Sequence, residues 1–431
     1  MSVPSHSAPV EPSGKTPPPE RRRSFAALGH RDFRLMWGGQ FISITGSQMQ
    51  LVAINWHVYL LTKSAFALGM VGLVRVVPII LCSLMGGVVA DAVDRKRLLL
   101  GTQSVMLLSA GVLAVVTASG LTAVWPIFVL TAISSAATAF DAPARQALLP
   151  ALVPSRDFPN AVSLSFVAFQ VAMVTGPVLA GLVLARFSPA VVYAVNAATF
   201  LSVIAAVLLI SASGRTGMDD AETKNAGVSF DALVEGLKFV WRTPIIVQTM
   251  TLDFVATFFA SATALLPIFA ADILRVGEQG YGLLAAAPAA GAVVAGLLMA
   301  RTPRWQKPGV WVVASVAVYG ATTLLFGLSR VFWFSLMMLA LSGAADTVST
   351  VIRQTIRQLI TPDRLRGRMT SVNMIFFMGG PQLGEFEAGL VARAVGAPLS
   401  VVIGGIGCLV AVLLATFKSR ELLRYKIPTH E

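Results

Sequence analysis

Six ionisable side chains stand inside stretches otherwise built of Ala, Val, Leu, Ile, Phe and Gly: Arg75, Asp141, Asp253, Asp346, Glu385 and Glu387. A charge in such surroundings is costly unless it is paired or wetted, so each marks a place where the chain handles charge. Arg75 and Glu385 fall about ten and nine residues from the ends of their runs, roughly 15 Å deep at the helical rise. Asp253 lies equally deep in a third run, where a carboxylate suits the uptake and release of protons. The alternative is a structural carboxylate bonded to the hydroxyls of Thr249 or Thr257. Asp141 precedes Arg145 by four residues, a helical ion-pair spacing, and with Asp346 and Arg353 it reads as gate structure. Glu387 lies closer to a run's end and joins Arg75, Asp253 and Glu385 as a candidate for charge coupling.

Two further constellations accompany these charges. Asp91, followed by Arg95, Lys96 and Arg97, sits where an apolar run gives way to a short loop. The acid can cap a neighbouring helix or meet a guanidinium and so latch one end of the molecule shut. Alternatively, the bases simply anchor the loop at the lipid interface. Ala172, Gly176, Pro177, Ala180 and Gly181 place small residues along one helix face and a bend beside them. That face either seals one part of the molecule against another or serves ordinary helix packing.

The elements that must hold these residues are set by composition. The chain has 431 residues, 55% hydrophobic and only 13% charged, with a mean hydropathy of +0.75, which leaves too little polar surface for a soluble globule of that size. Apolar runs recur at about 33 to 61, 65 to 90, 98 to 118, 123 to 144, 161 to 186 and 189 to 211. Six more follow at about 244 to 272, 280 to 301, 308 to 328, 332 to 352, 369 to 394 and 398 to 417. Most approach or exceed the roughly 20 residues that cross hydrocarbon as a helix. Lipid cannot satisfy backbone groups, so helices are required. Residues 145 to 183 return as 353 to 391, with 11 of 39 positions identical, including Arg145/Arg353, Gly176/Gly384 and Gly181/Gly389. The shift of 208 is about half the chain, so one six-span half has been built twice.

The expected architecture is an all-α membrane protein of twelve transmembrane helices in two six-helix bundles with pseudo-two-fold symmetry. Residues 1–31 form a polar, proline-rich tail, 32–211 the first bundle, 212–243 a linker, 244–418 the second bundle and 419–431 a second tail. In the linker, Phe230, Leu233, Val234, Leu237 and Trp241 recur at helical spacing, which suits an amphipathic helix on a membrane surface. With both termini in the cytoplasm, the inner segments hold 27 of the 33 Lys and Arg and the outer loops five. The positive-inside bias therefore fixes the orientation and accounts for the net charge of +12 without a nucleic-acid partner. Cys82 and Cys408 lie inside apolar runs, with no spacing for a disulfide framework or a metal, and no cofactor is expected. No phosphate-binding loop signature is present, so ATP does not drive the protein directly. Four scattered His give no catalytic cluster, and an enzyme is not expected.

The chain resembles the major facilitator superfamily, and within it the branch holding drug:proton antiporters and siderophore exporters. The loop Gly87-Val-Val-Ala-Asp91-Ala-Val-Asp94-Arg95-Lys96-Arg97 is similar to the superfamily's G-x-x-x-D-R-x-G-R-K signature, with Ala92 for Arg and Asp94 for Gly. Ala172-x-x-x-Gly176-Pro177-x-x-Ala180-Gly181 is similar to the antiporter signature G-x-x-x-G-P-x-x-G-G. Phe140 to Gln146 and Leu383 to Leu390 match the exporter branch. The resemblance covers essentially all of residues 32 to 418. It implies the major facilitator fold and alternating access in a bacterial cytoplasmic membrane, with proton-coupled efflux of a siderophore, drug or similar amphipathic molecule by a monomer. Import, lipid transport and a receptor role are the alternatives. The resemblance also places Arg75 and Glu385 face to face, either exchanging partners during transport or fixed as a static pair. Gln40, Asn55, Gln170, Asn196, Gln248 and Phe258 are expected to line the central cavity, Gln40 and Gln248 being related by the same shift of 208. The fourth span lacks the embedded Arg that many of these antiporters carry.

Overall fold

A computed structural model describes residues 25–120, 123–212, 237–261, 263–301, 307–362, 365–418 and 423. The first half contains α1 (Arg31–Thr62), α2 (Ala65–Ala92), α3 (Arg95–Ala118), α4 (Trp125–Leu148), α5 (Phe158–Leu184) and α6 (Pro189–Leu209). The second contains α7 (Pro244–Phe259), α8 (Gly277–Met299), α9 (Pro308–Leu328), α10 (Phe332–Ile360), α11 (Arg366–Val395) and α12 (Ala397–Lys418). Pro opens α6, α7 and α9, where its missing N–H costs nothing and its fixed φ suits the first turn. Ser64 caps α2 by accepting from the Ala67 N–H, and Asp94 caps α3 by accepting from those of Lys96 and Arg97.

Ten of these helices are long and apolar enough to cross a bilayer. The other two, α1 and α11, are as long, but α1 carries Gln40, Gln48, Gln50, Asn55 and His57, and α11 carries Gln382, Glu385, Glu387 and Arg393. Apolarity therefore supports ten of the twelve expected spans. The helices otherwise follow the apolar runs, with two differences. The seventh run breaks after Phe259 and resumes through a 3-10 turn, Thr263–Leu265, and a π turn, Phe269–Ile273. The tenth continues to Ile360, past its apolar portion. Of the linker helix, residues 237–242 are helical, with Val240 packed on Ile246, Met250 and Met369 and Trp241 exposed; the remainder of that expectation lies outside the described residues.

The internal repeat is visible in the packing. In the first half α1 packs on α5 and α6, α4 on α2 and α3, and α3 on α6; in the second α7 packs on α11 and α12, α10 on α8 and α9, and α9 on α12. The halves meet through α2 against α11 and α5 against α8, two contacts that a two-fold rotation exchanges. Even the backbone repeats: Lys63, after α1, and Arg275, after the extension of α7, are the two non-glycine residues with positive φ among those described. Short connections make successive helices antiparallel, so the molecule has an end that bears the two bundle termini and an opposite end.

Candidate functional site

The interface between the halves begins with four glycines. A Cβ on Gly69 of α2 would lie 3.0 Å from Gly389 Cα of α11, and one on Gly181 of α5 would lie 2.9 Å from Gly282 Cα of α8. Backbones this close tolerate only hydrogen on Cα. Both contacts fall toward the end opposite the termini. Beside them Trp56 stacks on Tyr281, with ring centroids 5.3 Å apart, and the Tyr281 hydroxyl donates to the Val52 carbonyl. The Tyr59 hydroxyl donates to Asp272 Oδ2 at 2.5 Å. One core cluster, from Met49 through Phe269 and Ala392, runs across both halves here, whereas each of the other four belongs to one half alone. Among the described residues, the bundles are thus joined at the far end, and toward the termini each apolar cluster belongs to a single half.

Within α5, Gly176 faces Gln48 and the Thr45 carbonyl of α1, while Gly181 and the Pro177 carbonyl face Gly282 across the interface. Ala172 and Ala180 are completely buried. The small face therefore serves both purposes, holding α5 to its own half and to the other.

The second half carries a buried charge cluster. Arg353 of α10, only 1% exposed, donates to Asp253 Oδ1 of α7 at 2.6 Å and to Thr350 Oγ1 at 3.0 Å. Asp346, with a side chain 42% exposed, stands 3.9 Å from the same guanidinium. Arg357 donates to the Arg353 carbonyl and to Asn373 of α11. Among the described residues, Asp253 Oδ2 and Arg353 Nε find no hydrogen-bond partner. The hydroxyls of Thr249 and Thr257, offered above as alternative partners of the Asp253 carboxylate, donate to the backbone carbonyls of Ile246 and Asp253. Sequence reasoning placed Arg353 at a gate and missed it as the partner of Asp253. A signal existed, because Arg145 has an acid four residues earlier while the matching position before Arg353 is Ser349.

In the first half, Asp141 is fully buried and receives Arg145 on its own helix and Thr102 and Gln103 from α3. The loop after α2 also binds within its own half. Arg95 donates to the Ala147 carbonyl at 2.7 Å and Lys96 to that of Ile210 at 2.5 Å, covering the ends of α4 and α6 where helix dipoles favour cations. Arg97 is exposed, and the Asp91 side chain lies outside the described residues. Among the described residues, the hydrogen-bond partners of this loop all belong to the first half.

Glu385 packs over Gly72 of α2, its Oε2 only 2.9 Å from where a Cβ there would lie, and Oε1 accepts from Thr263 at 3.2 Å. Arg75 is one turn further along α2 and acts on this carboxylate electrostatically, yet no ion pair joins them among the described residues. Glu387 is partly buried. Of the residues expected to line a cavity, Gln40, Asn55, Gln170, Gln248 and Phe258 are partly exposed. Asn196 is a correction: it is 1% exposed and donates to Gln50 Oε1 at 2.7 Å, bolting α6 to α1 inside the first half. Phe258 stacks on Phe254 and meets Phe259 edge-on. Among the described residues no group of His, Cys, Asp and Glu could hold a metal.

Comparisons with known proteins agree with this geometry. A family profile described as a transmembrane secretion effector matches residues 22–425. The enterobactin exporter EntS of Salmonella typhimurium is 25% identical over 92% of this chain and 94% of its own length. That of Citrobacter koseri is 24% identical over 93% and 94%. Among solved structures, a POT family transporter in complex with a thioalcohol-conjugated peptide superposes with a TM-score of 0.73 at 11% identity, covering 93% of this chain and all of that one. A bacterial homologue of the iron transporter ferroportin in an inward-facing state superposes at 0.68 with 14% identity, covering 90% and 99%. At these identities the two structures establish the fold alone.

Proposed function

The chain belongs to the transmembrane secretion effector family of major facilitator transporters, and from that premise we propose that it exports an amphipathic small molecule in exchange for protons. It is a multi-pass membrane protein and a transporter, and neither its family nor its relatives are enzymes. We place its termini in the cytoplasm, because 27 of its 33 Lys and Arg then face inward. On that orientation the glycine contacts close the outer side, and the separately packed ends of the bundles face the cytoplasm, ready to admit cargo. A siderophore is the cargo class favoured by the likeness to enterobactin exporters.

Coupling is assigned to Asp253, Arg353 and Asp346. In the inward-facing arrangement Arg353 neutralises Asp253. A proton arriving at Asp253 cancels that attraction, and the guanidinium is left with Asp346, 3.9 Å away and half-exposed. Deprotonation on the cytoplasmic side restores the first pair. Arg75, which has no ion-pair partner among the described residues, and Glu385 across the interface are positioned to meet as the halves rock, and Glu387 lies two residues further toward the outer mouth. The observation that carries the proposal is a buried cation shared by one sequestered and one accessible carboxylate.

The test is efflux from proteoliposomes under an imposed pH gradient, with catecholate siderophores and cationic dyes as cargo. Uphill movement of at least one cargo, driven by the proton gradient and opposite to the proton flow, supports the proposal. Equal flux with and without the gradient would remove the proton, and accumulation in the opposite direction would remove export.

A further inference from the structure

A cavity of about 360 Å³ lies at the closed end, between the halves, with Tyr59, Lys63 and Ser64 on one side and Asp272 and Arg393 on the other. We propose that it binds a small carboxylate or phosphate, and that this anion clamps the two halves together. The charges in its wall are unbalanced. Lys63 places its ammonium 4.3 Å from the centre of the Tyr59 ring, and Arg393 its guanidinium 5.5 Å from that of Phe66. Aromatic faces orient cations without neutralising them. Among the described residues neither cation is paired with a carboxylate. The acid in the lining, Asp272, already accepts the Tyr59 hydroxyl.

The backbone adds to the excess. Ala65 and Ala397, both in the lining, are the first residues of α2 and α12, so two helix N-termini open at the cavity. The Ser64 hydroxyl accepts the Ala67 N–H as the α2 cap and keeps its own proton to donate. The volume is at the small end of ligand sites, which suits a compact anion rather than the transported molecule.

Lys63 and Ser64 belong to the first half and Arg393 to the second, so one anion held by both bases ties the closed end. Outward opening separates these bases and destroys the site. A ligand that binds only the closed form shifts the equilibrium toward it, and the anion is therefore a brake on opening. This consequence rests on the alternating-access reading above, whereas the binding itself does not.

The experiment titrates inorganic phosphate into the purified full-length protein by calorimetry, at constant ionic strength, in neutral detergent. Spin-label distances across the outer ends of α1 and α7 are read in parallel. Saturable binding is expected in the wild type, weakened at least tenfold by Lys63→Gln and by Arg393→Gln and less by Arg393→Lys, with phosphate narrowing the outer distances toward the closed value. Repetition in nanodiscs with and without phosphatidylglycerol identifies the occupant. Closure by the lipid alone assigns the site to an anionic headgroup, and closure only on adding phosphate assigns it to a free solute. Absence of binding, or equal binding by wild type and both Gln variants, overturns the site. Binding that leaves the distances unchanged overturns the clamp. Because no cargo is involved, failure of export leaves these results readable.

Discussion

Arg353 and Asp253 meet at 2.6 Å between α10 and α7 with both side chains almost wholly buried, yet among the described residues one oxygen of the acid and one nitrogen of the base find no hydrogen-bond partner. A pair so placed is expensive to break from one side. Removing one partner of a buried pair costs about 3–5 kcal/mol, because the other charge is stranded. Arg353→Ala and Asp253→Ala should each lower the thermal midpoint of the detergent-solubilised protein sharply, and the double substitution should recover a large part of the loss. Additive losses would show that the two residues act independently.

Asp253→Asn keeps the shape and mimics the protonated acid. The expected result is a folded protein whose downhill cargo flux persists while its response to an imposed pH gradient disappears. An unaltered gradient response would take Asp253 out of the coupling path.

The internal repeat supplies a second test of the same pair. Position 349 corresponds to Asp141, four residues before the matching arginine, and holds a buried Ser349 whose hydroxyl has no partner among the described residues. Moving the acid there, as Asp253→Ser with Ser349→Asp, should rebuild the within-helix pair of the first half. Stability should exceed that of Asp253→Ser alone by about 1 kcal/mol or more, measured by thermal unfolding, since the stranded guanidinium regains a charge-assisted bond. Coupling should not return, because the acid has left α7.

At the closed end, a methyl group on Gly389 would lie 2.7 Å from the Ala65 carbonyl and from Gly69 Cα, backbone atoms that cannot give way. Gly389→Val should therefore wedge α11 from α2. Thiol labelling of single cysteines on the outer ends of these helices should speed up, and transport should fall at least tenfold. Unchanged labelling would mean that the seal lies elsewhere.

Tyr59→Phe removes the hydroxyl that bridges to Asp272. A hydrogen bond to a charged group contributes about 1.5–3 kcal/mol, so the open fraction at that end should rise by roughly tenfold or more. Distances between labels flanking Tyr59 and Asp272 report it, and an unshifted distribution would assign the bond no part in closure.

Much of this architecture is legible in the chain because lipid imposes it: runs of about 20 apolar residues, the shift of 208 and the distribution of bases lead to the helices and their duplication. Polar partnerships are less legible. Asp91 with Arg95, Lys96 and Arg97 reads as a latch at one end of the molecule; Arg95 and Lys96 cover the ends of α4 and α6, since an orphan helix carbonyl attracts a base wherever the turn brings them together, while the Asp91 side chain lies outside the described residues. Asn196 looked like cavity lining because sequence shows polarity without direction, and its neighbours Gln50 and Thr199 satisfy it inside the bundle. The break in α7 has no Gly or Pro at Ala260 and Ser261 to announce it. It coincides with the Tyr319 hydroxyl donating to the Ala260 carbonyl and Ser261 donating to the Pro381 carbonyl, contacts made by distant helices.

Alternating access requires the two ends of the interface to move in opposition. Two label pairs in one reconstituted protein, one spanning α2 and α11 near Gly69 and Gly389 and one spanning the terminus-bearing ends of α4 and α10, measure it by pulsed dipolar spectroscopy as pH and cargo are varied. The prediction is that the first distance lengthens whenever the second shortens. Distances that stay fixed under every condition, or that lengthen together, would contradict it.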